Sequence, residues 1–220
     1  MAVIRSGATT DELTIDPTSK ASRVTLYDSS GNLLTQPRNT YHAGGRLAAG
    51  TGLSFAFSST TAKQLMTIYH TGASTKLVRL LKAWITIINI SAACQIIFEL
   101  ESLSVTTAPA TGNPAITPMA LSPAAPAAEA TVLCLPTTPG SEISTATGVG
   151  LTGIVATGAT ASLVSAGLGQ QIILYQYNPL APAQQPQMRA AVAEGWAIRG
   201  FPNATTPTLV FTAGFEFTEE

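Results

Sequence analysis

Charge is scarce in this sequence. Of its 220 residues only 10% are Asp, Glu, Lys or Arg, where a globular protein carries about 25%. Eleven basic residues against 12 acidic ones leave a net charge of −1, so the chain lacks the basic footprint of a nucleic-acid binder. Two cysteines exclude a disulfide-rich scaffold and a four-thiolate zinc site. A long apolar run is missing too. The best candidate for a membrane span, residues 80–100 (LLKAWITIINISAACQIIFEL), holds Lys82, Asn89, Ser91, Gln95 and Glu99. Its uncharged centre, 83–98, falls short of the roughly 20 residues a spanning helix needs. Alternation and β-branched content instead predict two strands joined near 90–93. The opening residues have no apolar core of a secretory signal. Disorder is excluded from the other side, because 45% of the residues are apolar. A surface this poor in charge is unusual for a monomer, since charge keeps a protein soluble. An assembly component is therefore the first expectation.

The positive charge lies mostly at the front. Arg5, Lys20, Arg23, Arg38, Arg46, Lys63, Lys76, Arg79 and Lys82 all precede residue 83, and the next basic residue is Arg189. Residues 1–50 read as a polar, turn-rich arm with one short strand at 23–28 (RVTLYD), then a loop through Pro37, Gly44, Gly45 and Gly50. From there to residue 220 strands follow one another. Alternation predicts 53–57 and 65–69, and β-branched residues on both faces predict a long strand over 77–90 buried on both sides. Further strands are expected around 96–100, 130–135, 151–156, 171–177 and 195–199. The last, 208–218, sets Leu209, Phe211, Ala213, Phe215 and Phe217 on one face. Residues 105–128 are too rich in proline for a helix or a central strand. No segment repeats with a helical period between caps; 160–167 offers at most one turn. The expectation is all-β, a jelly-roll-like β-sandwich over 51–220 with an extended N-terminal arm over 1–50.

Catalytic and cofactor signals resolve into decoys. Gly148-Val149-Gly150-Leu151-Thr152-Gly153 has the letters of a dinucleotide fingerprint, but that motif needs a strand before it, a helix after it and an acidic residue about 20 positions on. A glycine-rich β-turn is the expectation instead. His42 sits among glycines and His70 at a strand end, neither with a partner at ligand spacing, so each reads as a surface or turn residue. No G-x-S-x-G elbow is present. Glu99 and Glu101 share one strand face and read as a solvated edge. Cys94 and Cys134 fall on strands and read as buried free thiols, although a bridge between them is open. No catalytic, cofactor-binding or metal-ligating residue is assigned. Asn89-Ile90-Ser91 and Asn203-Ala204-Thr205 spell glycosylation sequons that carry no weight without secretion.

Three stretches carry a resemblance: ATTDELTIDPTSKASRVTLYDSSGN at 8–32, STKLVRL at 74–80, and EGWAIRG at 194–200 with the close at 211–220 ending in FTEE. In this order they resemble stretches of virion structural proteins of tailed bacteriophages with a jelly-roll domain. The resemblance implies a non-enzymatic component that oligomerises, a trimer being the expected form, in a virion assembled in the bacterial cytoplasm. It further implies capsid decoration, with Asp11, Leu13, Ile15, Asp16 and Arg23 of the arm anchoring the protein to the major capsid protein or another virion protein. No cofactor, nucleic acid or membrane enters this expectation. The alternative is a tail, fibre or baseplate-associated jelly roll that binds host-surface glycans, with Tyr41, Tyr69, Tyr177 and Trp196 as stacking candidates. A hydrolase with a dispersed site around His42 and His70 is the third reading. The neutral stretch 83–188 is expected to supply much of the subunit interface.

Overall fold

A computed structural model describes residues 39–45, 52–58, 62–91, 94–104, 107–110, 115–141, 171–178, 185–203 and 207–220, together with the strand backbone at 4–5, 12–15, 22–23 and 151–157. The chain divides into two compact units, Met1–Arg38 and Asn39–Glu220. In the first, β1 (Ile4–Arg5), β2 (Glu12–Ile15) and β3 (Ser22–Arg23) form an antiparallel sheet in that order. Of the expected anchoring residues, Leu13 pairs with Ile4, Ile15 with Ser22 and Arg23 with Thr14. Asp11 and Asp16 lie outside the described residues.

The second unit is all-β among its described residues. Its strands are β4 (Asn39–Gly45), β5 (Leu53–Ala56), β6 (Lys63–His70), β7 (Val78–Ile90), β8 (Gln95–Leu103), β9 (Ala115–Ile116), β10 (Met119–Ala120), β11 (Thr131–Cys134), β12 (Leu151–Thr157), β13 (Gln171–Gln176), β14 (Gln187–Met188), β15 (Glu194–Pro202) and β16 (Thr208–Glu219). Sheet I runs β10-β4-β16-β7-β13, with β5 beside the start of β16 and β14 beside the start of β7. Sheet II runs β12-β8-β15-β6-β11-β9. The principal strands alternate between sheets so that β4-β16-β7-β13 packs on β12-β8-β15-β6, which is the strand order of a jelly roll.

The interior follows from alternation. Leu209, Phe211, Ala213, Phe215 and Phe217 of β16 are all fully buried at the centre of sheet I, facing Leu65 and Ile68 of β6 and Ile96, Phe98 and Leu100 of β8 in one core. Tyr41 stacks on Phe217 with ring centroids 5.3 Å apart. The long strand at 78–90 departs from expectation. Ala83, Ile85 and Ile87 are buried, but Trp84 and Thr86 are only half-buried and Ile88 is exposed, so one face of β7 looks outward.

The loop expected through Gly44 and Gly45 is a strand. Tyr41, Ala43 and Gly45 turn inward while Thr40, His42 and Gly44 turn outward. Its glycines answer a lack of room, not a turn: a Cβ on Gly45 would overlap Cys134 Sγ and come within 3.0 Å of Leu53 Cδ1. Among its described residues the proline-rich stretch contributes the two-residue strands β9 and β10, one at the margin of each sheet, where missing N–H donors are tolerated.

Glu99 and Glu101 are not a solvated edge. β8 is an inner strand of sheet II, and both glutamates are buried at 7% and 0% exposure. Arg199, opposite Glu99 on β15, compensates them. Its guanidinium donates to Glu99 Oε2 at 2.8 and 3.0 Å and lies 3.2 Å from Glu101 Oε2. This outer side of sheet II is covered by chain. Tyr69 donates its hydroxyl to Pro109 O at 3.0 Å, Gln64 exchanges two hydrogen bonds with Gly140, and Tyr69, Leu103 and Ala197 form a second small core.

Candidate binding face

With one side of sheet II covered, the outward side of sheet I is the surface on which side chains are arranged in the open. Cross-strand pairing lines them up in rows. Gly44, Gly214, Trp84 and Ile173 form one row across β4, β16, β7 and β13. On one side of it run Met119, His42, Glu216 and Lys82; on the other, Thr212, Thr86 and Gln171.

The glycines let the indole lie flat. A Cβ on Gly214 would stand 2.5 Å from Trp84 Cζ2 and 2.7 Å from Cε2, so no other residue leaves the ring its place. The His42 ring lies beside it, centroids 6.3 Å apart and planes 23° from parallel. His42 Nδ1 is 3.7 Å from Glu216 Oε1, and the two side chains are about equally exposed, at 35% and 37%. On the far side Lys82 donates from Nζ to Gln171 Oε1 at 2.8 Å. Ile116, Thr117 and Met119, from the proline-rich stretch, raise a wall over this floor and enclose a groove of about 470 Å3. That volume is in the range of small-ligand sites.

The aromatic candidates named from sequence fare differently. Tyr41 is in the core, with its hydroxyl on Pro126 O at 3.0 Å, and Tyr69 is sealed under Pro109. Trp196 packs against the main core, and Tyr177 is half-buried just beyond β13. All four are expected from sequence as exposed aromatics in loops; Tyr41 is instead on β4, and for the other three alternation does not say which side is open. Trp84 was missed, although Lys82, Trp84, Thr86 and Ile88 share one parity and the lysine marks that parity as outward.

His42 is on a strand and not in a loop. His70, expected at the surface or in a turn, is buried at 1% exposure, and neither ring nitrogen meets a hydrogen-bonding partner among the described residues. It borders a cavity of about 310 Å3 with Ser74, Thr75 and Glu129. The Ser74 hydroxyl there donates to Glu129 Oε2 at 2.8 Å, joined by the Thr75 N–H at 2.9 Å and the Thr75 hydroxyl at 3.0 Å. These donors hold the Glu129 carboxyl below the usual range. A serine engaged this way lacks the imidazole contact a nucleophile needs. Cys94 and Cys134 are free and buried, and burial pushes the Cys134 thiol up to about 12 and the Cys94 thiol up as well. Neither is a thiolate at neutral pH. Among the described residues no three His, Cys, Asp or Glu side chains gather around a point that would hold a metal ion. The glycines at 148 and 150 lie outside the described residues, and Leu151–Thr157 is a strand where a dinucleotide fingerprint requires a helix. No family model, curated protein or solved structure matches the chain.

Proposed function

We propose that this chain is a non-enzymatic structural component of a bacteriophage virion, a capsid decoration or cement protein that self-associates and attaches through its N-terminal unit. The observation that carries this reading is the placement of exposed apolar side chains. Ile88, Met119, Leu121 and Ile173, exposed at 43, 64, 61 and 43%, all belong to residues 83–188, which contain no Lys or Arg. Three of them also fall at opposite margins of sheet I. Met119 is on the edge strand β10 and Leu121 directly follows it; Ile173 is on the edge strand β13, while Ile88, on β7, reaches across β16 toward Gly52. Single exposed apolar residues need no explanation, but exposed apolar side chains at two margins of one sheet suit a head-to-tail contact. Such a contact closes into a ring by rotation, and a trimer is the ring the sequence resemblance implies.

The N-terminal unit, with Leu13, Ile15 and Arg23 on its strands and Asp11 and Asp16 between them, is the proposed attachment to the major capsid protein or another virion protein. Light scattering on the full chain tests the first half, with an expected mass about three times 22.7 kDa. Co-sedimentation with capsids lacking the protein tests the second. A stable monomer that ignores such capsids would remove the proposal. A second reading, a tail, fibre or baseplate module that binds host-surface glycans, is favoured by one observation, the open aromatic face at Trp84.

A further inference from the structure

We infer that the Trp84–His42 plate on sheet I is a binding site for a neutral saccharide, with the C–H face of a pyranose ring laid on the indole. The inference rests on the second reading above and names its site.

A pyranose has two kinds of surface. Its ring faces carry C–H groups and are apolar; its hydroxyls project around the rim in the ring plane and need both donors and acceptors. The plate answers both. Trp84 offers a flat π-face, whose negative quadrupole attracts C–H hydrogens, and Gly214 leaves that ring room over the β16 backbone. On one face of a strand neighbouring rows are two residues apart, roughly 7 Å, so polar rows flank the indole at about the width of a hexose. One row brings the Glu216 carboxylate and the His42 imidazole; the other brings the Thr86 and Thr212 hydroxyls, and Lys82 and Gln171 meet in a hydrogen bond across the row between them.

Other occupants fit less well. The rim has one ammonium and one carboxylate, so there is no charge excess to hold a phosphate or a polyanion, and a nucleotide would lose its main source of affinity. A protein partner of ordinary size needs a broad apolar centre, whereas the apolar row here is one residue deep between two polar ones. The wall of Ile116, Thr117 and Met119 closes one end of the plate and makes a groove of about 470 Å3.

The test uses the full chain carrying Trp196→Phe, which leaves Trp84 as its one indole. Its fluorescence is followed during titration with maltoheptaose, chitohexaose, dextran and dextran sulfate. The expected result is a saturable change with at least one of the first three. In the chain with Trp196 intact, calorimetry with that same probe should show an affinity loss of about ten-fold or more for Trp84→Ala and a smaller loss for Glu216→Gln. If Trp84→Ala does not fold, His42→Ala takes its place, and its affinity must fall. The inference is overturned by no saturable change with any probe, by unchanged affinity in these variants, or by a response to dextran sulfate alone that salt abolishes. Antibody labelling of virions separates this result from the reading it rests on. Saccharide binding by a chain found on the capsid leaves the site standing and removes the tail location. A tail-located chain that binds no saccharide does the reverse.

Discussion

At Gly45 the absence of one methyl group decides whether β4 can enter the sandwich. The position a Cβ would take is filled by Cys134 Sγ, with Leu53 Cδ1 3.0 Å away. Gly45→Ala is expected to cost about 1–3 kcal/mol as overpacking. Cys134→Ala vacates part of that space, so the double variant should be more stable than the sum of the single losses predicts, by about 1 kcal/mol. Urea denaturation of the four proteins measures this, and strict additivity would separate Gly45 from Cys134. Glu129 makes a prediction about pH. Its carboxyl is held low by the Thr75 N–H and then by the Ser74 hydroxyl, so the folded state releases the proton more readily than the unfolded chain does. That contribution is fully present above the ordinary glutamate value and is lost as pH falls through the lowered one. Glu129→Gln should lower the thermal midpoint at neutral pH, and the gap from the parent should shrink between about pH 6 and pH 3. A constant gap would mean that the charge of Glu129 is not the source.

Among the elements, β16 was legible because its alternation is unbroken and a central strand needs one fully apolar face. The pair of strands drawn from residues 80–100 was legible for the same reason, as β7 and β8. β8 also shows where such reasoning stops. Glu99 and Glu101 look like solvent residues in any local window; what buries them is Arg199, a hundred residues away and brought alongside by β15. Likewise β4 was hidden because its glycines signal loops locally but serve packing against Trp84 and Cys134, which are distant in sequence. Trp84 itself was overlooked because a lone tryptophan on a strand is usually core, and only its neighbours' pairing reveals the glycine floor. The buried cluster gives a direct test. Arg199→Met removes the cation and leaves both carboxylates under the covering chain, so a loss of about 3–5 kcal/mol is expected. Chemical denaturation measures it; a loss under about 1 kcal/mol would mean that the cluster is hydrated like a surface pair.

For the whole molecule, the low overall charge becomes a geometric statement once the sheet order is known. The exposed apolar side chains of the stretch without Lys or Arg stand at two different margins of sheet I, Met119 with Leu121 at one and Ile173 at the other. If copies join margin to unlike margin, every contact needs one good patch of each kind. Leu121→Lys spoils the first margin in all copies and Ile173→Lys spoils the second, so each variant alone should be monomeric. Mixed together, they should recover a single kind of contact, between the intact β10 margin of one variant and the intact β13 margin of the other. That pair has no remaining good margins with which to close a ring, so the mixture should give a mass about twice 22.7 kDa and no larger species. A twofold contact of like with like behaves differently: one of the two variants would stay associated alone, and mixing would add nothing. Light scattering of the two variants and their equimolar mixture therefore distinguishes a rotating ring from a symmetric dimer. Monomers throughout, with the parent chain associated, would count against a contact of one margin with its unlike.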